Sequence, residues 1–331
     1  MQKQLEAKPL LTIAIPTYNR SAYLRELLSI LFDQLVHEPR VELIICDNAS
    51  PDDTPEVVEE YQRRGLELRR IRNLTNIGAD ANFLQCFEQA RGKYVWIFGD
   101  DDIIVPGGVA VVLSCLEMKD YDLVYVNSYP LQGLDRVKPL RSLKAIEFDD
   151  VMRFAKRIHV YFTFISGNIV NKDRVQAGGP ASFSALVGSN LVQLAWVYAA
   201  LNGFERGLYI QDKLVGARVD NTGGYRLSEV FGSRLKRVTE SELRSDRLKR
   251  LVIGGALQRF WPGMLLTLRK SKGSFESDTT QGRTLTAEFK DNPRYWFFVY
   301  PVLVLPPMLG ASWFFFIRIL NRIDKALGFV L

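Results

Sequence analysis

The sequence predicts an α/β fold: a mostly parallel sheet with helices on both faces, followed by a basic, helical and hydrophobic C-terminal region. Three observations predict it. Apolar runs of strand length alternate with segments of helical periodicity over the first ~130 residues. Those runs end in polar clusters, where a parallel sheet opens to ligands. Past residue 225 the pattern changes to basic helical segments and then a long uncharged stretch. The implied domains are 1–225 and 226–331.

The elements follow in order. Leu10 to Pro16 is a short apolar run with β-branched residues, closed by Thr17-Tyr18-Asn19, and reads as a buried strand. Leu24, Leu27, Leu28, Leu31 and Leu35 then recur at helical spacing. Val41 to Cys46 is a second strand, ending at Asp47-Asn48. Asp52-Asp53-Thr54-Pro55 signals a helix start with proline near its first position, and this helix runs to about Arg64, before Gly65. Leu66 to Arg72 is a third strand and Asp80 to Ala90 a helix. Lys93 to Phe98 is a fourth strand that runs into Asp100-Asp101-Asp102, and Asp122 to Asn127 is a fifth. Residues 149 to 215 mix both patterns, and 228 to 270 read as largely helical.

Composition narrows the function. At 47% hydrophobic and 24% charged, the chain is a folded protein. Cys46, Cys86 and Cys115 are odd in number and lack metal-ligand spacing, which fits a reducing compartment. The N-terminal apolar run is too short for a signal peptide and lacks a small-residue cleavage site. The net charge is +6, yet Arg234 to Lys272 alone holds eleven Lys/Arg against three Asp/Glu. A basic patch confined to one segment implies a local anionic partner and not a nucleic-acid-coated surface. Tyr295 to Ile317 carries no charge over 23 residues, long enough to span a bilayer. Pro301, Pro306 and Pro307 interrupt it, which leaves a straight span and an interfacial hairpin both open.

The chemistry concentrates at the predicted strand ends. Three adjacent carboxylates repel one another, and a divalent cation relieves that repulsion. Oxygen ligands completed by water and phosphate suit Mg²⁺ or Mn²⁺. Asp47 can accept from a base or ribose, and Tyr18 can lie against either. Asn76, Gly78 and Asn82 lie where a loop enters a helix, a place for close backbone approach and an anion. His37 and His159, the only histidines, sit in no recognisable site, which weighs against a histidine triad or histidine metal centre. P-loop and dinucleotide glycine motifs are absent from the sequence.

The series IAIPTYNR, ELIICDNASPDDT, NIGADANF and GKYVWIFGDDD resembles the family 2 glycosyltransferases of GT-A fold, with four motifs in order over residues 10 to 105. GSNLVQLAW and DNTGGY extend the resemblance to the abequosyltransferase-type branch of bacterial O-antigen and cell-surface glycan assembly. The resemblance implies that Pro16, Thr17 and Tyr18, with Arg20, line the nucleotide pocket. It implies that Asp47 contacts the base, that Asp100 meets the ribose or donor sugar, and that Asp101 or Asp102 holds the metal. Many members carry Asp where this chain has Gly99. Members also place a Glu-Asp pair, whose Asp is the general base, where this chain has Gly188-Ser189-Asn190. Neither Ser nor Asn serves well as that base. Asp220 in RVDNTGGY and Asp102 are the remaining candidates for it. The expected acceptor is an undecaprenyl-diphosphate-linked glycan, met by a monotopic enzyme on the cytoplasmic face of the inner membrane. A sugar nucleotidyltransferase and a non-catalytic nucleotide-sugar-binding partner remain as alternatives.

Overall fold

The computed structural model describes residues 8–131, 133–134, 137, 143–177, 183–218, 224–270 and 281–327. The chain divides into two compact units. The first comprises Met1–Phe154 and Phe162–Val219, and the second Ala155–Tyr161 and Asp220–Leu331.

The first unit begins with the alternation the sequence predicts: β1 (Leu11–Thr17), α1 (Ser21–Leu35), β2 (Val41–Asp47), α2 (Thr54–Arg63), β3 (Arg69–Arg72), α3 (Ala79–Gln89) and β4 (Tyr94–Ile97). There follow β5 (Ile103–Ile104), α4 (Gly108–Met118), β6 (Leu123–Leu131), β7 (Ala145–Phe148), α5 (Val151–Ile158), β8 (Asn168–Asn171), α6 (Lys172–Ala177), α7 (Leu194–Asn202) and β9 (Gly207–Arg218). The sheet order is β3-β2-β1-β4-β8-β6-β9-β5, with β7 also paired to β9. The expected parallel arrangement holds from β3 to β4. Beyond β4 the sheet is mixed: β8 runs antiparallel to both β4 and β6, whereas β6 and β9 are parallel.

The core explains the local choices. All seven residues of β1 are buried, since β1 is flanked by β2 and β4 and covered on both faces. Leu24, Leu27, Leu28, Leu31 and Leu35 form the buried stripe of α1, as the spacing predicts. Asp52 fixes where α1 and α2 begin: its carboxylate accepts from Ser21 N at 2.8 Å and from Thr54 Oγ1 at 2.6 Å. Gly92 lets the turn before β4 press on β1, for a Cβ there would stand 2.6 Å from Thr12 N.

The second unit is helical: α8 (Leu235–Glu242), α9 (Asp246–Gly255), α10 (Trp261–Lys270), α11 (Gln281–Phe289), α12 (Tyr300–Val304) and α13 (Pro307–Leu327). Its core includes Leu235, Val252, Trp261, Leu285, Tyr295 and Val302. Asp246–Arg269 is a continuous helical run of 24 residues, long and apolar enough to cross a membrane by length and composition alone, and half of its residues are buried. The uncharged stretch 295–317 is not a single helix. Leu305 is extended, as a residue before proline prefers, and separates α12 from α13.

Candidate active site

Three parallel strands deliver one row of side chains. Thr17, Asp47 and Arg72 are register partners at the carboxyl ends of β1, β2 and β3. The acidic run follows the end of β4 on the same edge. Hydrogen bonds tie the loops beyond these ends together: Asn48 N donates to Thr17 O at 2.9 Å, Asn19 N to Ser50 Oγ at 3.0 Å and Asn73 N to Asp47 O at 2.9 Å. Asn19 and Ala49 take positive φ values of 55° and 63° in these turns, conformations that non-glycine residues hold only when their surroundings impose them.

The acidic run lies against β1. Thr17 Oγ1 donates to Asp100 Oδ2 at 2.7 Å, and Arg20 Nη1 donates to Asp100 Oδ1 at 3.0 Å. The same guanidinium lies 3.7 Å from Asp101. Burial raises the Asp100 carboxyl to about 6 despite Arg20. Burial first, and then Asp101, raises Asp102 to about 7. Asp102 is also hydrogen-bonded to the Ser166 side chain and accepts from Arg218 N at 3.2 Å.

Gly99 stands in the middle of this cluster. A Cβ at Gly99 would lie 3.1 Å from Asp101 Oδ1, 3.2 Å from Asp102 Oδ2 and 3.4 Å from Ser166 Oγ. Carboxylate and hydroxyl oxygens thus surround Gly99. Among the described residues no three His, Cys, Asp or Glu side chains form a metal cage. One or two carboxylates, completed by diphosphate and water, are what Mg²⁺ or Mn²⁺ takes beside a nucleotide, so the oxygen set around Gly99 fits such a cation.

The other predicted residues have distinct placements. Pro16 is buried in β1, and Tyr18 is 42% exposed beside it. Asp47 is fully buried: Oδ1 accepts from Ser50 N at 2.8 Å, while Arg72 Nε and Arg70 Nη2 lie 3.4 and 3.7 Å from Oδ2. Asn82 is buried as well, its amide donating to Cys46 O at 2.9 Å. Asn76 accepts from Gly78 N and from Asn48 Nδ2, each at 2.8 Å, and Gly78 has φ of 87°. Asp47, Asn76, Gly78 and Asn82 therefore brace the loops of this edge. Asp220 lies outside the described residues.

Three residues of the site escape sequence reasoning. Ser166 and Arg218 arrive from distant segments: Ser166 Oγ accepts from Gly99 N at 2.9 Å, and Arg218 Nε donates to Asp101 O at 3.2 Å. Asp80, in the first turn of α3, accepts from Gly188 N at 2.8 Å and Asn190 N at 2.7 Å. Gly188 and Asn190 have φ of 93° and 60°, so a buried carboxylate clamps the loop at 188–190.

The glycosyl transferase family 2 profile matches residues 12–176, the span that supplies Thr17, Arg20 and the acidic run. Residues 12–176 are a family 2 glycosyl transferase domain. The chain is similar to abequosyltransferase RfbV of Salmonella typhimurium, at 32% identity over 184 residues, 51% of this chain and 54% of that protein. The chain thus spans about half the length of that curated relative. Its fold is that of Staphylococcus aureus TarS residues 1–349 solved with UDP, at a TM-score of 0.61 and 16% identity over 96% of this chain and 91% of that one. The mannosyltransferase PcManGT of Pyrobaculum calidifontis, solved with GDP-Man and Mn²⁺, shares the fold at a TM-score of 0.52 and 15% identity over 96% and 88% of the two chains.

Proposed function

We propose that this chain transfers a sugar from a nucleoside-diphosphate donor to a lipid-linked glycan, of polyprenyl-diphosphate type, in bacterial cell-surface glycan or O-antigen assembly. The observation that carries the reading is the convergence of Thr17, Arg20 and Asp100–Asp102 at the carboxyl edge of parallel strands. UDP and GDP-Man in the two structural neighbours, and the sugar transfer named in RfbV, support a nucleotide-sugar donor.

Thr17 and Arg20 hold Asp100 so that it can accept a hydroxyl of the ribose or sugar. Tyr18 offers an exposed ring to the nucleoside, and the loops braced by Asp47, Asn76, Gly78 and Asn82 shape its pocket. Asp101 and Asp102 would hold Mg²⁺ or Mn²⁺, which when bound neutralises charge on the departing diphosphate. The acceptor hydroxyl attacks the anomeric carbon in a single inverting displacement. Asp220 is a candidate to take its proton, and Asp102 is another where Asp101 alone holds the cation. The reaction takes place at the cytoplasmic face of the inner membrane, where a lipid-linked acceptor is available.

The test is incubation with a panel of nucleoside-diphosphate sugars and polyprenyl-diphosphate-linked glycans, reading both nucleotide release and the extended lipid. One donor–acceptor pair is expected to yield both products. Release of nucleotide with no extended lipid for any pair would overturn the transfer reading.

A further inference from the structure

We infer that α13 is an in-plane docking helix for an anionic lipid surface. The inference rests on the proposed lipid-linked acceptor and assigns the contact to particular side chains. An ordinary surface helix turns its apolar face inward and its polar face to water. In α13 both faces are apolar. The inner face packs through Gly310 and Ile317, and Trp313 Nε1 donates to Phe297 O at 2.9 Å. The outer face presents Met308 at 84%, Leu309 at 56%, Phe315 at 63%, Phe316 at 41%, Ile319 at 40% and Ile323 at 48% exposure. At ~100° per residue, Met308, Phe315, Ile319 and Ile323 fall within a sector of about 80°. They form one stripe, interrupted only by Ser312, whose hydroxyl donates to Met308 O at 3.1 Å, and exposed apolar patches of this kind mark a partner surface.

Charge selects the partner. Arg318 and Arg322 border the stripe, are exposed, and form no ion pair among the described residues. Residues 307–323 contain no acidic residue. Arg237, Arg247 and Arg250, in the same unit, are likewise exposed and unpaired. A second copy packed about a two-fold axis would bring Arg318 and Arg322 of both chains to one seam, with like charges opposed. Anionic headgroups instead pair with these arginines while the phenylalanines and isoleucines enter the acyl boundary. The extended Leu305 before Pro306, together with Arg318 and Arg322 along its length, suits α13 to lying in the interface and not to crossing it.

The experiment is co-sedimentation of the full chain with vesicles of phosphatidylcholine alone or mixed with phosphatidylglycerol. Wild type is expected to pellet with the mixed vesicles and to be released by salt. The double variant Phe315→Glu/Ile319→Glu should fall to background. Arg318→Glu/Arg322→Glu should reduce partitioning at least ~tenfold. Both variants should bind UDP, GDP or CDP as wild type does, which establishes that they are folded. Failure to bind mixed vesicles, or unchanged binding by the stripe variant, overturns the inference. So does a wild-type dimer that Phe315→Glu converts to monomer, since a second copy would then own the face. Vesicle binding without sugar transfer would sink the proposed reaction alone, and transfer to a detergent-solubilised acceptor without vesicle binding would sink only the docking helix.

Discussion

The two units differ in how they hold their arginines. In the first unit Arg20 is tied to Asp100, Arg69 to Glu42, Arg174 to Asp122 and Arg218 to Glu26, while Arg63 and Arg153 stand exposed. In the second unit Arg226 and Arg234 pair with Glu229, while Arg237, Arg247, Arg250, Arg318 and Arg322 are exposed and have no ion pair among the described residues. The contrast separates two kinds of work. The contacts of Arg20 and Arg218 with the acidic run fix that polar edge in place before a ligand arrives, which favours binding with little reorganisation. Unpaired surface arginines beside an apolar stripe stabilise little within the chain, and they act on a partner outside it.

The largest effect expected falls on the cleft. Asp101→Asn should lower sugar transfer by about a hundredfold or more, while leaving vesicle co-sedimentation unchanged. A variant that lost both would erase the division of labour between the units.

Next come two glycines, one in each unit. A Cβ at Gly92 would stand 2.6 Å from the backbone of Thr12, and one at Gly255 would stand 2.6 Å from the His159 side chain. Gly92→Ala meets backbone that cannot turn aside and should cost about 3 kcal/mol in urea unfolding. Gly255→Ala meets a side chain and should cost less, about 1–2 kcal/mol. Equal costs would mean that His159 is held as firmly as the central sheet.

Most of the first unit was legible in the sequence because its signals are local. The α1 leucines, the Asp52–Pro55 helix start and the polar ends of β1, β2 and β4 all depend on near neighbours. What was not legible is non-local. Nothing near Ser166 or Arg218 announces that each will bond to the acidic run, and β8 inserts between β4 and β6 by pairings no periodicity encodes. Asp80 reads as an ordinary acidic residue in a first helical turn, although its partners lie far along the chain. In the second unit the prolines foretold the break at Leu305. Which face of α13 would remain uncovered depends on packing and not on its composition.

The units should also respond oppositely to pH. In the metal-free chain Asp102 titrates at about 7, against 3.8 for a free carboxyl. Between those values the unfolded chain has lost a proton that the fold retains, so stability falls as pH rises through the window. Burial, and then Arg259, depress His159 from 6.5 to about 3. There the unfolded chain gains a proton that the fold refuses, so stability falls as pH drops from about 6.5 toward 3. Urea midpoints with chelator present should show both trends: Asp102→Asn should reduce the loss on raising pH to the share that Asp100 contributes up to about 6, and His159→Gln should flatten the loss on lowering it. If Asp102→Asn alone removed both trends, the assignment to separate units would fail.

The most local effect concerns Asp80. Asp80→Asn weakens the two bonds to Gly188 and Asn190 and should cost about 2 kcal/mol. Amide exchange at 188–190 should rise while the acidic run stays as protected as before. Unchanged exchange would mean that the loop is held by its own turns.

The central claim is that the edge built from Thr17, Arg20 and Asp100–Asp102 holds a donor diphosphate with a cation. Calorimetric titration of UDP, GDP and CDP, with and without Mn²⁺, into wild type and Asp101→Asn tests it most directly. The account predicts that one nucleotide binds wild type much more tightly with Mn²⁺, and that Asp101→Asn abolishes the metal enhancement. Nucleotide binding that is equally tight without metal, or undiminished in Asp101→Asn, would contradict it.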